Sequence, residues 1–296
     1  MKKSKTKILL DTDIGTDIDD AAALAYLLAN PDCELLGIIT VTGEAEKRAK
    51  LASVLCLQTG KDIPIYPGAE KPLIISQKQT EAQQAIALNK WVHQKKFPKG
   101  EAIEFMRRTI RQYPGEIILL TIAPLTNIGL LFSVDPEIPS LLKGLVMMAG
   151  FFERKNKYAH PLEWNAFGDY HATKIVYDAK VKIHRSIGLD VTTQVIMNSE
   201  EVKHKFTHPL LLPVLDFAQV WFEKFYPYIT FHDPLAAVSI FSNDVCKFTQ
   251  GEIEIEMSEK EKLGLTYWKP DKNGLHEVAL EVNKDSFFTE YFKVFN

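Results

Sequence analysis

Cysteine is scarce: Cys33, Cys56 and Cys246 are the only three in 296 residues, odd in number and far apart. That usage argues against a disulfide framework and against a zinc site, and it fits a reducing compartment. Long apolar runs are missing as well. No stretch approaches the ~20 apolar residues of a membrane span. The N-terminal apolar run is only Ile8 to Leu10, well short of the roughly 7–15 residues of a secretory h-region. The sequence therefore predicts a cytoplasmic protein without a membrane partner, although a leader removed upstream would leave no trace in it. An excess of one charge is also lacking. Lys and Arg total 35 against 38 Asp and Glu, a net charge of −3, whereas a dedicated nucleic-acid binder is usually basic. Repeats, low-complexity tracts and linkers do not interrupt the chain. With 46% hydrophobic and 25% charged residues, the composition is that of an ordinary globular protein. The simplest expectation is a single domain over residues 1–296.

Short apolar segments alternate with helical ones. Strands are expected at Lys7–Leu10, Glu34–Val41, Asp62–Tyr66, Glu116–Ile122, Gly144–Met148 and near Ile183–Leu189. Helices are expected at Asp19–Ala29, Glu46–Gln58, Glu101–Tyr113, Leu125–Phe132, Tyr170–Asp178 and Pro234–Phe241, with Glu200–Tyr226 helical but broken between Pro209 and Pro213. The strands are near-continuously apolar, the pattern of strands buried on both faces, so the fold class is α/β with an open, mainly parallel sheet flanked by helices. Residues 69–100 are polar and weakly periodic and read as a surface excursion, partly helical. Phe151–Asn165 reads as a loop. The tail holds β-type segments at Glu252–Met257, Leu263–Trp268 and Glu277–Val282.

The most informative segment is ILLDTDIGTDIDDA (Ile8–Ala21). Asp11, Asp13, Asp17, Asp19 and Asp20 fall within ten residues, after a buried strand and before a helix. Ligands of open parallel sheets bind beyond the carboxyl ends of strands. Crowded carboxylates repel one another, more strongly as water is excluded, and a hard cation resolves that repulsion. Oxygen-only ligands favour Ca²⁺ or Mg²⁺ over zinc. Helix capping alone would account for Asp19 and Asp20 but leaves the other three aspartates unexplained. A strand followed by Asp-x-Asp also resembles the haloacid-dehalogenase-type phosphatases. That reading gives Asp19 and Asp20 no task.

DTDIGTDIDDA resembles the N-terminal signature DxDxGxDDA of the inosine-uridine-preferring nucleoside hydrolases, with two additional residues between the glycine and the final Asp pair. APLTNIG (Ala123–Gly129) is similar to the family's GPLTNIA, EWN (Glu163–Asn165) to its EFN, and HDPLA (His232–Ala236) to its HDPLA. GLDVT (Gly188–Thr192) resembles another shared strand end. The five matches keep the same order across residues 8–240.

The resemblance implies calcium-dependent hydrolysis of the N-glycosidic bond of ribonucleosides in purine or pyrimidine salvage, with a small-molecule nucleoside as partner. It implies that Asp13 ligates calcium and acts as general base. Asp20, Asp233 and a main-chain carbonyl near Ile122 would be further ligands. Asp19 would bind a ribose hydroxyl, and Glu163 and Asn165 would hold the 5′- and 3′-hydroxyl side of the sugar. His232 is the candidate acid for the leaving base; the other seven histidines have no such context. Trp164, between two implied ligands, is a candidate wall for sugar or base. Tyr226 and Tyr228 could stack on a base, although an aromatic stripe at helical spacing is more often core. A homo-oligomer is compatible with the sequence.

Two departures stand out. VTGEAEKR (Val41–Arg48) places Glu44 where the family usually has a ribose-contacting asparagine. A carboxylate accepts a hydroxyl's hydrogen bond but cannot donate as an amide does. Glu44 is expected either in the sugar pocket or as a solvated first-turn residue of the following helix. The loop before EWN lacks a clear equivalent of another family asparagine, for which Asn156 is the available substitute. A ribose-binding protein that has lost turnover is the reading these departures keep open.

Overall fold

A computed structural model of the chain describes residues 4–155 and 160–296. In chain order the strands are β1 (Thr6–Thr12), β2 (Cys33–Thr40), β3 (Ile65–Pro67), β4 (Ile117–Thr121), β5 (Gly144–Met147) and β6 (His184–Ser186). They continue with β7 (Ile196–Asn198), β8 (Tyr228–Thr230), β9 (Cys246–Ile255), β10 (Thr266–Pro270) and β11 (His276–Val282). Nine of them form one sheet in the order β10-β9-β11-β6-β5-β4-β1-β2-β3, while β7 and β8 pair as a separate antiparallel ribbon. From β3 to β11 every pairing is parallel; β9 runs against both its neighbours, β11 and β10.

β1 shows why the apolar run is continuous. Ile8 and Leu10 join the core on one face and Leu9 the core on the other, and all three are fully buried. Burying each such side chain contributes about 1.5–3 kcal/mol. On the first face pack helices Asp19–Ala29, Ala45–Gln58, Leu211–Lys224, His232–Ser239 and Lys284–Lys293. Helices Ala102–Gln112, Thr126–Val134 and Tyr170–Tyr177 cover the other. No helix among the described residues is long and apolar enough to cross a membrane.

From β1 the chain builds β2 and β3 on one side, then crosses to β4 on the other. This reversal opens a crevice at the carboxyl ends of β1 and β4, the place where open α/β sheets bind ligands. β4 ends at Thr121, just before Ile122, and β5 ends just before Met148, so both strands deliver their following residues to that crevice.

The C-terminal helix Lys284–Lys293 was not expected. Asn283 caps it, accepting from Ser286 N at 3.1 Å. Its apolar face is aromatic: Phe287 and Tyr291 are buried, and Tyr291 stacks on Tyr26 with ring centroids 5.8 Å apart. The stretch Ile183–Leu189 yields only the three residues of β6, and Leu189 opens a short helix, Leu189–Thr192. The expected loop Phe151–Asn165 ends in another short helix, Trp164–Gly168. Residues 69–100 are irregular apart from a 3₁₀ helix at Gln83–Lys90.

Candidate active site

A cavity of about 650 Å³ lies at the carboxyl ends of the central strands. Its floor is acidic. β1 ends at Thr12, and Gly15 turns the chain at φ +124°, where a Cβ would lie 2.8 Å from Leu51. That turn sends Asp19 and Asp20 into the first turn of helix Asp19–Ala29, while Asp233 sits in the first turn of the adjoining helix His232–Ser239. Carboxylate oxygens of Asp19, Asp20 and Asp233 lie within 4.8 Å of one another, and all three residues are buried. Asp233 N donates to Asp19 Oδ2 at 3.0 Å, and the Thr12 hydroxyl donates to Asp20 Oδ1 at 2.5 Å. Two helix N-termini supply partial positive charge there, which offsets only part of the negative charge.

Burial, followed by repulsion from its neighbours, pushes the Asp19 carboxyl up to about 7. The same causes hold Asp20 and Asp233 well above the ordinary carboxylate range. Asp13 is raised by burial too, but Arg48 and a hydrogen bond from Gln79 oppose the rise. The trio brought together is therefore Asp19, Asp20 and Asp233. Asp13 lines the same cavity beside it, as does Ile122. Asp11, the fifth aspartate of the β1 segment, lies beneath the floor. It accepts from Asn127 Nδ2 at 2.7 Å and from the Thr121 hydroxyl at 3.1 Å.

Glu163 and Asn165 also line the cavity. Glu163 caps helix Trp164–Gly168: Oε1 accepts from Asn165 N at 2.7 Å, and Oε2 from Ala166 N at 2.8 Å and Gly150 N at 3.0 Å. Oε1 retains capacity for a ligand hydroxyl. Asn165 donates from Nδ2 to the Met148 carbonyl at 2.9 Å, leaving its amide oxygen for a ligand. Trp164 is 45% exposed and forms part of the wall. His232 also lines the cavity, as does an aromatic cluster in which Trp221 lies 4.8 Å from Phe225 and 5.8 Å from Tyr226 between ring centroids. His232 Nδ1 is 2.7 Å from the Thr192 hydroxyl. It keeps solvent access through the cavity, yet desolvation by the surrounding protein lowers its imidazole to about 4. Tyr228 lies in β8, outside the lining, stacked on Tyr226 at 5.3 Å.

Glu44 corrects the expectation of a sugar-pocket residue. Thr42 and Glu44 both take left-handed backbone conformations, with φ of 76° and 62°. The Glu44 carboxylate accepts from Ala82 N at 2.9 Å and pairs with Lys47, away from the cavity lining. Desolvation pushes this carboxyl up, but Ala82 N–H, Lys47 and Arg48 together hold it below its ordinary value. The alternative of a fully solvated first-turn residue does not describe it either, since Glu44 is half-buried against the excursion. Asn156 lies outside the described residues.

The excursion itself is the main surprise. Lys78, Gln79, Thr80, Glu81 and Gln83 line the cavity, so residues 77–84 form a strap across it rather than a detour over the surface. Arg48, fully buried, ties this strap to the acidic loop. It donates to the carbonyls of Asp13, Gly43 (2.8 Å) and Glu81 (3.0 Å) and to the Thr16 hydroxyl (3.2 Å). A polar, aperiodic stretch carried no signal for this role. The one available hint was a lone arginine, at position 48, on a helix otherwise rich in buried Ala and Leu.

Fold and pocket together place the chain among α/β enzymes that work at the carboxyl edge of a parallel sheet. Residues 8–289 match the family model of the inosine-uridine preferring nucleoside hydrolases. The inosine-uridine preferring nucleoside hydrolase of Leishmania major is 29% identical over 303 residues, 95% of each chain. Uridine nucleosidase 1 of Arabidopsis thaliana is 26% identical over 271 residues, 84% of this chain and 78% of that one. A solved structure of a purine-preferring ribonucleoside hydrolase from Gardnerella vaginalis superposes with a TM-score of 0.85 over 98% of both chains, at 20% identity, a likeness of fold. The chain belongs to the inosine-uridine preferring nucleoside hydrolase family, whose reaction is hydrolysis of the N-glycosidic bond of ribonucleosides.

Proposed function

We propose that this chain is a calcium-dependent nucleoside hydrolase that converts ribonucleosides to free base and ribose. The observation that carries the reading is the buried trio Asp19, Asp20 and Asp233 at the floor of a nucleoside-sized cavity. Three oxygen donors that repel one another in a buried place fit a hard divalent cation, and the donor set favours Ca²⁺ or Mg²⁺ over a softer metal. Asp20 and Asp233 would hold the ion, with Asp13 and the Ile122 carbonyl as further ligands. Asp19 would bind a sugar hydroxyl and stands close enough to join the ligand set. Calcium, when bound, would orient the sugar hydroxyls and the attacking water and make that water more acidic.

The chain's own groups complete the chemistry. Asp13 takes the proton of the attacking water as general base. The carboxylates beneath the ring stabilise the positive charge that develops on the sugar as the glycosidic bond breaks. Glu163 and Asn165 hold the sugar's outer hydroxyls, and Trp164 closes that side. The bond's electron pair leaves with the base, which His232 protonates or hydrogen-bonds. Burial keeps the imidazole neutral; in the tautomer whose Nδ1 accepts from the Thr192 hydroxyl, its proton sits on Nε2 and can hydrogen-bond the leaving base, whereas full proton transfer needs the charged imidazolium. Trp221, Phe225 and Tyr226, which also line the cavity, offer aromatic faces to the base.

The substrates are free nucleosides of the cytoplasm rather than nucleic acid. The test is chromatographic detection of free base from inosine, uridine and a wider nucleoside panel, using metal-stripped protein with and without added calcium. Base release that returns with calcium is expected. No release from any nucleoside after calcium is restored would overturn the proposal.

A further inference from the structure

Gln79 is held in a way that a surface loop residue is not. Its Nε2 donates to Asp13 Oδ2 at 2.9 Å and to the Thr16 hydroxyl at 2.8 Å, and its Oε1 accepts from Trp164 Nε1 at 2.8 Å. The partners dictate which way the amide points. An indole N–H only donates, and an ionised carboxylate only accepts. The Thr16 hydroxyl gives its own proton to the Glu81 carbonyl and receives one from Arg48. A flipped amide would set oxygen against carboxylate and N–H against N–H. The main chain is fixed as well. Gly43 N donates to the Gln79 carbonyl at 3.2 Å, Ala82 N to Glu44, and Gln84 Nε2 to the carbonyls of Thr16 and Asp17, both at 3.0 Å. Glu44 and Arg48 therefore act on the site at one remove, as anchors of the strap that carries Gln79.

We propose that Gln79 is a positioning residue for Asp13 in nucleoside hydrolysis, a role that rests on the hydrolase reading above. A neutral amide on Oδ2 fixes the plane of the carboxylate and leaves Oδ1 to receive the proton of the attacking water. The Trp164 indole removes the remaining freedom of the glutamine side chain, so the sugar-side wall and the base are set by one link. Gln79 is thus a determinant of turnover more than of affinity.

Two variants and two readouts test this. Gln79→Met keeps the volume and removes all three hydrogen bonds; Gln79→Glu keeps an acceptor for Trp164 but loses the donor to Asp13. With uridine or inosine at saturating calcium, kcat should fall about 10–100-fold in Gln79→Met, the range expected for a lost hydrogen bond to a charged group. It should fall at least as far in Gln79→Glu, with KM within about threefold in both. Calcium affinity of metal-stripped Gln79→Met, read by calorimetry, should fall by clearly less than kcat does, because the bond removed supports Asp13 alone among the proposed ligands and leaves Asp20 and Asp233 untouched. Unchanged kcat in Gln79→Met, a loss confined to KM, or full kcat in Gln79→Glu would each overturn the positioning role. A calcium affinity that collapses in step with kcat would overturn it too. A parent protein that releases no base overturns the hydrolase reading and this role together, a result distinct from an active parent with indifferent variants.

Discussion

Replacing Asp233 by asparagine should stabilise the metal-free protein while abolishing its response to calcium. The trio's oxygens lie within 4.8 Å of one another. Two ionised carboxylates at that distance repel by about 3.5 kcal/mol at an effective dielectric constant near 20. Protonation limits the penalty: keeping one carboxyl neutral at pH 7 against an ordinary pKa near 3.9 costs about 4 kcal/mol. Asparagine has the same shape, carries no charge, and can donate to Asp19 or Asp20. After allowance for relaxation, we expect Asp233→Asn to gain about 1–3 kcal/mol without metal. The sign with pH follows from proton binding. The folded-state pKa of Asp233 is raised, so the folded chain binds more protons than the unfolded one above about pH 4, and the wild type loses stability as pH rises. The advantage of the variant should accordingly be small at pH 4 and largest at pH 8. Calcium at a hundredfold excess over its dissociation constant should add about 2.7 kcal/mol to the wild type and little to the variant. Urea unfolding followed by circular dichroism, on chelator-treated protein with and without calcium, measures all four quantities. A variant less stable than the wild type at pH 8, or one that calcium stabilises equally, would refute the reasoning.

Three further outcomes are expected. His232→Ala should slow natural nucleosides by about 10²–10⁴-fold but barely affect p-nitrophenyl riboside, whose leaving group needs no proton; equal losses on both would assign His232 to binding or structure. His184, buried against Tyr177 and held down to about 3 by burial and then by His276, stays neutral in the fold until far below the unfolded value near 6.5. Stability should therefore fall with falling pH between about 6.5 and 3, by up to ~1.4 kcal/mol per pH unit from this residue. His184→Phe should flatten that slope in urea titrations, and identical slopes would refute the assignment. Asn127→Ala removes bonds to Asp11 (2.7 Å), the Thr40 carbonyl (3.2 Å) and Ala69 N (2.9 Å), leaving buried partners unsatisfied. The loss should be about 3–5 kcal/mol, and a loss under about 1 kcal/mol by chemical denaturation would show that water or rearrangement replaces them.

The parallel sheet was legible because its strands are buried on both faces and therefore read as unbroken apolar runs. The acidic floor was legible because Asp13, Asp19 and Asp20 follow one such strand within ten residues. Asp233 needed a resemblance, since nothing in its local pattern says that its helix adjoins helix Asp19–Ala29. The placement of Glu44 and the role of the 69–100 excursion both escaped the sequence, for one reason. Which way Glu44 points depends on left-handed backbone at Thr42 and Glu44 and on a partner at Ala82, and no local periodicity encodes either. The strap is held by side chains scattered from Asp13 to Trp164 rather than by repeated backbone bonds. Its sequence therefore resembles that of any polar loop.

Arg48 has a consequence for the order in which the molecule assembles. Its guanidinium is fully buried, and its partners come from the loop after β1, the turn after β2 and the distant strap. The Gly43 carbonyl is local, but the Asp13 and Glu81 carbonyls come into place only when all three stretches have met. Until then the charge stays hydrated, because removing it from water without partners costs several kcal/mol. Helix Ala45–Gln58 can form early, but its arginine can dock only late. Closure of the pocket is thereby tied to completion of folding. A nascent or damaged chain would present a loose strap and an unassembled acidic loop, and would stay inert towards nucleosides until the last of these contacts is made.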